Sequence, residues 1–278
     1  MRALVGELAR RGLEVELNRI SGGTAACLFN SFNFDFQRLR RFARAGCRMV
    51  HRVDGPLAAY RGFDDGTDRR IVEINGLADA TVCQSRFSLE KHRELGLELR
   101  NPVVIPNTVD PQVFHPPALR EPLAGRKVRL ITTSWSDNPN KGAETLAWLD
   151  ARLDWVRFEL TFAGRAPAAF SRIRTFGPLA SEDLADLLRC HDIFVAASRN
   201  DPCSNALLEA LACGLPAAYL QSGGHPEIVG AAGLPFASPQ ELPDVLDALV
   251  GELEERRAAI SIPTLPEVAD RYVELLHV

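Results

Sequence analysis

Short β-rich runs alternate with helical runs along almost the whole chain, in two series, and few architectures accommodate such a pattern. The first series predicts strands at Glu14–Leu17, Ala25–Asn30, Arg48–Val53, Ala80–Gln84 and Val103–Ile105. Helices are predicted near Arg2–Arg11, Asp35–Ala45, Asp68–Leu77 and Ser85–Leu95. A stretch rich in Pro and polar residues, His115–Arg126, reads as a linker. The second series predicts strands at Arg129–Thr133, Phe158–Ala163, Asp192–Ser198 and Pro216–Leu220, with helices near Ala143–Leu153, Ser181–Leu188 and Ala206–Cys213. Strand–helix alternation calls for parallel sheets covered on both faces. Two series imply an α/β protein of two Rossmann-like domains with parallel sheets facing a central cleft. Ligands of such sheets sit beyond the carboxyl ends of the strands, so the loops after strands are where chemistry is expected.

Composition narrows the function classes. The 278 residues carry a formal net charge of −4, which gives no hint of a nucleic-acid partner, whose binding would need a basic stripe. No apolar run approaches the ~20 residues of a membrane span. The six cysteines form no C-x-x-C pair, several lie in apolar runs, and free thiols in the cytoplasm are expected. The histidines have no metal-ligand spacing, so no metal is expected.

The most informative segment runs from Ser198 to Pro216. A strand ends in a polar loop containing Asp201, Ser204 or Asn205 can cap the next helix, and Gly214 with Pro216 ends it. That helix is apolar nearly all round, so it is buried, and Glu209 is its only charge. Residue 206 is Ala, which excludes a capping box for Glu209. The carboxylate is read either as tolerated by the helix dipole or as held for the hydroxyls of a ligand, with Asp201 facing the same ligand. In Thr133–Gly142, the residues Asp137, Asn138, Pro139, Asn140 and Gly142 favour a turn, and Lys141 stands near a helix N-terminus. Backbone N–H groups plus a Lys suit a phosphate; the alternative is an ordinary turn with a solvated Lys. Gly223-Gly224 after a strand permits close backbone approach to a ligand, or marks a plain turn. In the first half, Asp54 at a strand's carboxyl end is the candidate for a ligand hydroxyl, with an Asx-turn as the alternative. His51 is second to it, and Asn30, Arg52, Tyr60 and Arg61 are candidates for shaping a pocket there.

Together these segments resemble the retaining glycosyltransferases of family 4, which have a GT-B fold. The family signature, Glu-x7-Glu before a Gly-x-Pro helix end, is met by Asp201 and Glu209. The resemblance implies that Glu209 binds the ribose hydroxyls of a nucleotide and Asp201 the hydroxyls of its sugar. Lys141 matches a diphosphate-binding Lys; the Arg expected five residues earlier is Ser136, with Ser134, Ser136 and backbone amides as substitutes. By the same resemblance, Gly223 and Gly224 lie beside the donor phosphates and sugar, and Gly177, Pro178 and Leu179 read the base. Val104–Pro116 is similar to the family's segment before the linker, with Thr108 in place of Gly. The implied organisation is an acceptor-side domain over 1–117, a nucleotide-sugar domain over 118–262, and a final helix in 263–278 that packs back on the first domain.

The implied activity is transfer of a glycosyl group from a nucleotide diphosphate sugar to a saccharide, lipid-linked or small-molecule acceptor, with retention and without a cofactor or metal. Peripheral contact with the inner membrane face is compatible with a lipid-linked acceptor. Two other readings share the architecture: a noncatalytic nucleotide-sugar- or partner-binding protein, and a nucleotide-sugar epimerase. The chain opens in an amphipathic helix, Leu4–Leu8, without a preceding strand and Gly-rich turn. The expectation is either a truncated chain or a variant with a depleted N-terminal sheet.

Overall fold

A computed structural model describes residues 2–30, 35–136 and 138–278. They divide into two compact units, Met1–Thr108 with Pro263–Val278, and Val109–Ile262.

The first unit contains α1 (Arg2–Arg10), β1 (Ala26–Asn30), α2 (Phe36–Arg44), β2 (Arg48–Val53), α3 (Leu57–Arg61), α4 (Thr67–Asn75), β3 (Ala80–Cys83), α5 (Arg86–Glu94) and β4 (Pro102–Val104). Its four strands are parallel, in the order β1-β2-β3-β4. The pleat sends neighbouring residues of β2 to opposite faces. Met49 packs with Cys27, Phe29 and Leu39, and Val50 packs with Leu4, Leu8 and Val82. The C-terminal helix Leu265–Leu276 covers this second face through Val268, Ala269, Tyr272 and Leu276. It opens with a capping box between Thr264 and Glu267, and Arg11 pairs with Asp270 at 2.5 Å. Glu14–Leu17 is not a strand. Val15 packs against the core, but the Glu16 carboxylate accepts from Ser21 N–H and Thr24 Oγ–H, which draws the chain into a turn instead of a ladder.

The second unit contains β5 (Val128–Ser134), α6 (Ala143–Arg152), β6 (Phe158–Gly164), β7 (Arg174–Phe176), α7 (Ser181–Arg189), β8 (Ile193–Ala196), α8 (Asn205–Ala212), β9 (Ala217–Leu220), α9 (His225–Val229), β10 (Gly233–Phe236), α10 (Leu242–Gly251) and α11 (Leu253–Ala258). Its six strands are all parallel, in the order β10-β9-β8-β5-β6-β7. Two apolar clusters cover the two faces, one built on α6 and α10 and the other on α7 and α8. The unit begins earlier than the expected boundary at 117/118, because Val109, Val113 and Phe114 pack into the α7–α8 cluster. The edge strands β7 and β10 were not anticipated: β7 is three residues long, and β10 contains Pro235, which only an edge or an irregular position tolerates.

At the amino ends of β5 and β8, buried Asp192 accepts a two-pronged bond from Arg126, at 2.7 and 2.9 Å, and a third from Arg129 N–H at 2.9 Å. Burial opposes its charge, but these donors and the Arg257 guanidinium prevail and hold the carboxyl below its ordinary 3.8. Asp192→Ala is expected to destabilise the protein by about 3 kcal/mol, because it strands Arg126 in a poorly hydrated place. The stabilisation is complete above the ordinary carboxylate value and is lost as pH falls through the lowered one. Urea unfolding of both proteins across the acid range should show the difference shrinking toward low pH.

Candidate functional site

The strand order of the six-stranded sheet reverses between β5 and β8, so the chain leaves these adjacent strands toward opposite edges. Such a reversal opens a crevice beyond the carboxyl ends of the two strands. A cavity of about 210 Å³ lies there, walled by Ser134, Ser136, Lys141, Ser198, Asp201, Ser204 and Asn205 among others.

The loop after β5 is a succession of small turns. Ser134 Oγ–H donates to the Ser136 carbonyl at 2.7 Å, Asn138 N–H donates to Ser136 Oγ at 3.2 Å, and a 3-10 turn spans Pro139–Lys141. The Ser134 proton is thus engaged within the loop in the ligand-free chain. Asp137, expected in the same turn, lies outside the described residues. At Gly142 φ is +98° and a Cβ would meet the Ala197 Cβ at 2.6 Å, so glycine lets this loop lie against the end of β8. Arg199 N–H then donates to the Asn140 carbonyl at 2.8 Å. The two loops thereby bring Lys141 Nζ within 2.6 Å of Asp201 Oδ2.

Asp201 is buried and is seated from behind by the loop after β9. Gly224 N–H donates to the Asp201 carbonyl at 2.9 Å, and Asn200 N–H donates to Ser222 Oγ at 2.9 Å. Gly223 has φ +64°, and a Cβ there would fall 2.3 Å from the Asp201 carbonyl oxygen. The two glycines thus back the acid instead of lining the cavity. Sequence reasoning assigned no role to Ser198 or His225, nor to Trp135, which is 59% exposed at the cavity rim. Ser198 Oγ is 3.0 Å from His225 Nε2, and His225 Nδ1 is 3.0 Å from the Leu220 carbonyl.

Ser204 caps α8 by accepting from Leu207 N–H. Glu209 lies one turn beyond Asn205 and Ala206, which line the cavity, and on the same face of the helix. Burial alone pushes its carboxyl up from 4.5 to about 7. Leu179 packs into the apolar cluster that holds α8. Gly177, Pro178 and Leu179 follow β7 at the same end of the sheet, off the cavity wall.

In the first unit, Asp54 follows β2 and accepts from Gln84 Nε2, and its Oδ1 is 3.7 Å from the Arg52 guanidinium. Arg52 also donates to Asn107 Oδ1 at 2.8 Å, and Asn107 Nδ2 to Gln84 Oε1 at 2.9 Å. This joins the carboxyl ends of β2, β3 and β4 in one polar cluster. The turn after Asp54 is held by Asp68, which accepts from Leu57 and Ala58 N–H at 2.8 Å each. His51 is no pocket residue. It is fully buried, stacks on Phe29 at 4.5 Å and lies 3.0 Å from Asn75 Nδ2, and burial lowers its pKa to about 4. The described residues contain no group of three or more His, Cys, Asp or Glu that could hold a metal ion, and all six cysteines are free. No helix among them is long and apolar enough to cross a membrane.

The sequence model of the family described as Glycosyl transferases group 1 matches residues 136–252. A subunit of phosphatidylinositol N-acetylglucosaminyltransferase from Saccharomyces cerevisiae is 26% identical over 193 residues, 61% of this chain and 42% of that protein. The chain thus spans less than half the length of this relative. Among solved structures, sucrose-phosphate synthase from Thermosynechococcus elongatus superposes with a TM-score of 0.73 at 17% identity, covering 99% of this chain and 76% of that one. Anabaena HepE in complex with UDP-glucose gives 0.62 at 17% identity, over 87% and 73%. The pneumococcal O-GlcNAc transferase GtfA in complex with UDP and GlcNAc gives 0.65 at 14% identity, over 86% and 53%. The shared architecture is the GT-B fold of two Rossmann-like units, and the family match over the site-bearing segment supports a glycosyltransferase.

The raised Glu209 pKa has a stability consequence. The unfolded chain ionises this carboxyl near 4.5 and the folded chain near 7, so its anion burdens the fold increasingly between these values and fully above them. Glu209→Gln is expected to stabilise the ligand-free protein by about 1–2 kcal/mol at about pH 8 and to be neutral near pH 4. Melting curves at the two pH values measure it.

Proposed function

We propose that this protein transfers a glycosyl group from a nucleoside diphosphate sugar to an acceptor hydroxyl with retention of anomeric configuration. The observation that carries the reading is the Lys141–Asp201 pair in the wall of the crevice of the second unit, with the Glu209 carboxyl, raised by burial, one helical turn beyond the lining residues Asn205 and Ala206. A diphosphate suits Lys141, sugar hydroxyls suit Asp201, and the paired hydroxyls of a ribose suit Glu209. The Phe176–Leu179 loop is assigned to the base, since Leu179 packs into the cluster holding α8.

In the free protein Lys141 rests on Asp201. An incoming diphosphate competes for the ammonium and releases Asp201 Oδ2 for sugar hydroxyls. As the glycosyl–phosphate bond breaks, charge grows on the leaving diphosphate, and Lys141 stabilises it most at that point. The leaving phosphate accepts the acceptor's proton, so no protein base is required. The Arg52–Asp54–Gln84–Asn107 cluster of the first unit is assigned to acceptor hydroxyls. A lipid-linked acceptor is supported by α2, where Arg38, Arg40, Arg41 and Arg44 are exposed and no acid occurs from Phe36 to Arg48. The apolar side of this helix is packed in the core, and its outward arginines suit an anionic membrane surface by charge.

A thermal-shift screen of UDP-, GDP- and ADP-sugars, followed by turnover assays and the anomeric configuration of the product, tests the reading. Binding without turnover would mark a noncatalytic sugar-nucleotide binder. Lys141→Ala is expected to lower kcat/KM by a larger factor than it weakens donor binding; equal losses would assign Lys141 to ground-state binding alone. Ribose hydroxyls donating to Glu209 favour its anion, so donor binding at neutral pH should release a proton, and Glu209→Gln should abolish the release. Titration calorimetry in buffers of different ionisation enthalpy reads this directly. Charge reversal of Arg40, Arg41 and Arg44 should abolish co-sedimentation with anionic phospholipid vesicles at low salt.

A further inference from the structure

The proton arrangement around His225 bears on how the cavity reads a ligand. The Leu220 carbonyl can only accept, so His225 Nδ1 carries a proton. The ring is 0% exposed, and the charged groups facing it are Asp201 and Lys141. Burial opposes a second proton and keeps the ring neutral, which leaves a lone pair on Nε2. That lone pair takes the proton of Ser198, 3.0 Å away. The competing acceptor, Asp201 Oδ2, is 3.5 Å from Ser198 Oγ, well beyond the ~2.7 Å of a strong O–H···O bond.

A serine has one hydroxyl proton. With it committed to His225, Ser198 Oγ presents only lone pairs to the cavity, next to the acceptor oxygens of Asp201. If the histidine acceptor were absent, the hydroxyl would turn to the carboxylate and occupy the oxygen that Lys141 vacates when a diphosphate binds. We infer that His225 is a positioning residue that directs the Ser198 proton away from Asp201, so that Ser198 Oγ and the Asp201 carboxylate jointly accept from two adjacent hydroxyls of the donor sugar. The wall is then selective for a sugar bearing a free vicinal hydroxyl pair. The inference rests on the donor-site reading given under Proposed function and adds a specificity device to it.

The test compares two affinities by titration calorimetry: that for the best binder among UDP-glucose, GDP-mannose and ADP-glucose, and that for its bare nucleoside diphosphate. Ser198→Ala and His225→Met should each bind the nucleotide sugar up to about tenfold more weakly, the scale of one neutral hydrogen bond, with nucleoside diphosphate affinity unchanged. His225→Gln, whose Oε1 restores an acceptor for Ser198, should recover most of the loss. The double variant Ser198→Ala/His225→Met should be no weaker than Ser198→Ala alone. The inference is overturned if Ser198→Ala binds the nucleotide sugar as the wild type does, or if both affinities fall in parallel in Ser198→Ala and His225→Met. A wild type that binds none of the three nucleotide sugars overturns the donor-site reading along with it.

Discussion

Everything at the candidate site depends on the reversal of strand order between β5 and β8. Two adjacent parallel strands send their chains in opposite directions, and no connection crosses the gap above them. The loops at that gap are short, and backbone contacts that only glycine permits press them together. Gly142 lets the Lys141 loop lie on the end of β8, and Gly223 lets the loop after β9 lie on Asp201. Lys141 and Asp201, sixty positions apart in sequence, meet at 2.6 Å for that reason. The fold thus holds the two side chains together before any ligand arrives.

Three ionisable groups of the second unit, two buried and one partly buried, show how the effect of burial depends on partners. Asp192, at the amino ends of the strands, has Arg126, Arg129 N–H and Arg257 around it, and its charge is stabilised despite burial. His225, at the carboxyl ends, has one acceptor and one donor, which suits a neutral ring and fixes its tautomer. Glu209 has its pKa raised by burial alone, in the part of the sheet where ligands bind. A polar group held in this state at a carboxyl edge is a candidate for contact with a ligand. The first two have their partners within the protein.

Most central elements were legible because their residues follow the periods of helix and strand. β2 was read at its observed bounds, Arg48–Val53, and Asp35 and Ser85 cap the helices they precede. The errors lie where side chains redirect a backbone of the right composition, or where an element is too short for its period to show. Glu16 captures Ser21 and Thr24, so a β-rich run becomes a turn. β7 and β10 are short edge strands, one exposed for most of its length and one containing a proline. His51 stands at a strand end like a site residue, yet its side chain points into the core against Phe29 and Asn75.

By itself the amino-acid sequence determined the class of fold, because the alternation of strand and helix periods is a local property with one economical solution. It also marked Glu209, as a lone charge on a helix that has to be buried, and Lys141, in a turn before a helix. Only the tertiary structure decided which atoms meet. The Lys141–Asp201 contact, the seating of Asp201 on Gly223 and Gly224, and the Ser198–His225 bond join loops that follow three different strands. Their meeting depends on strand order, and no local period of the chain encodes that order.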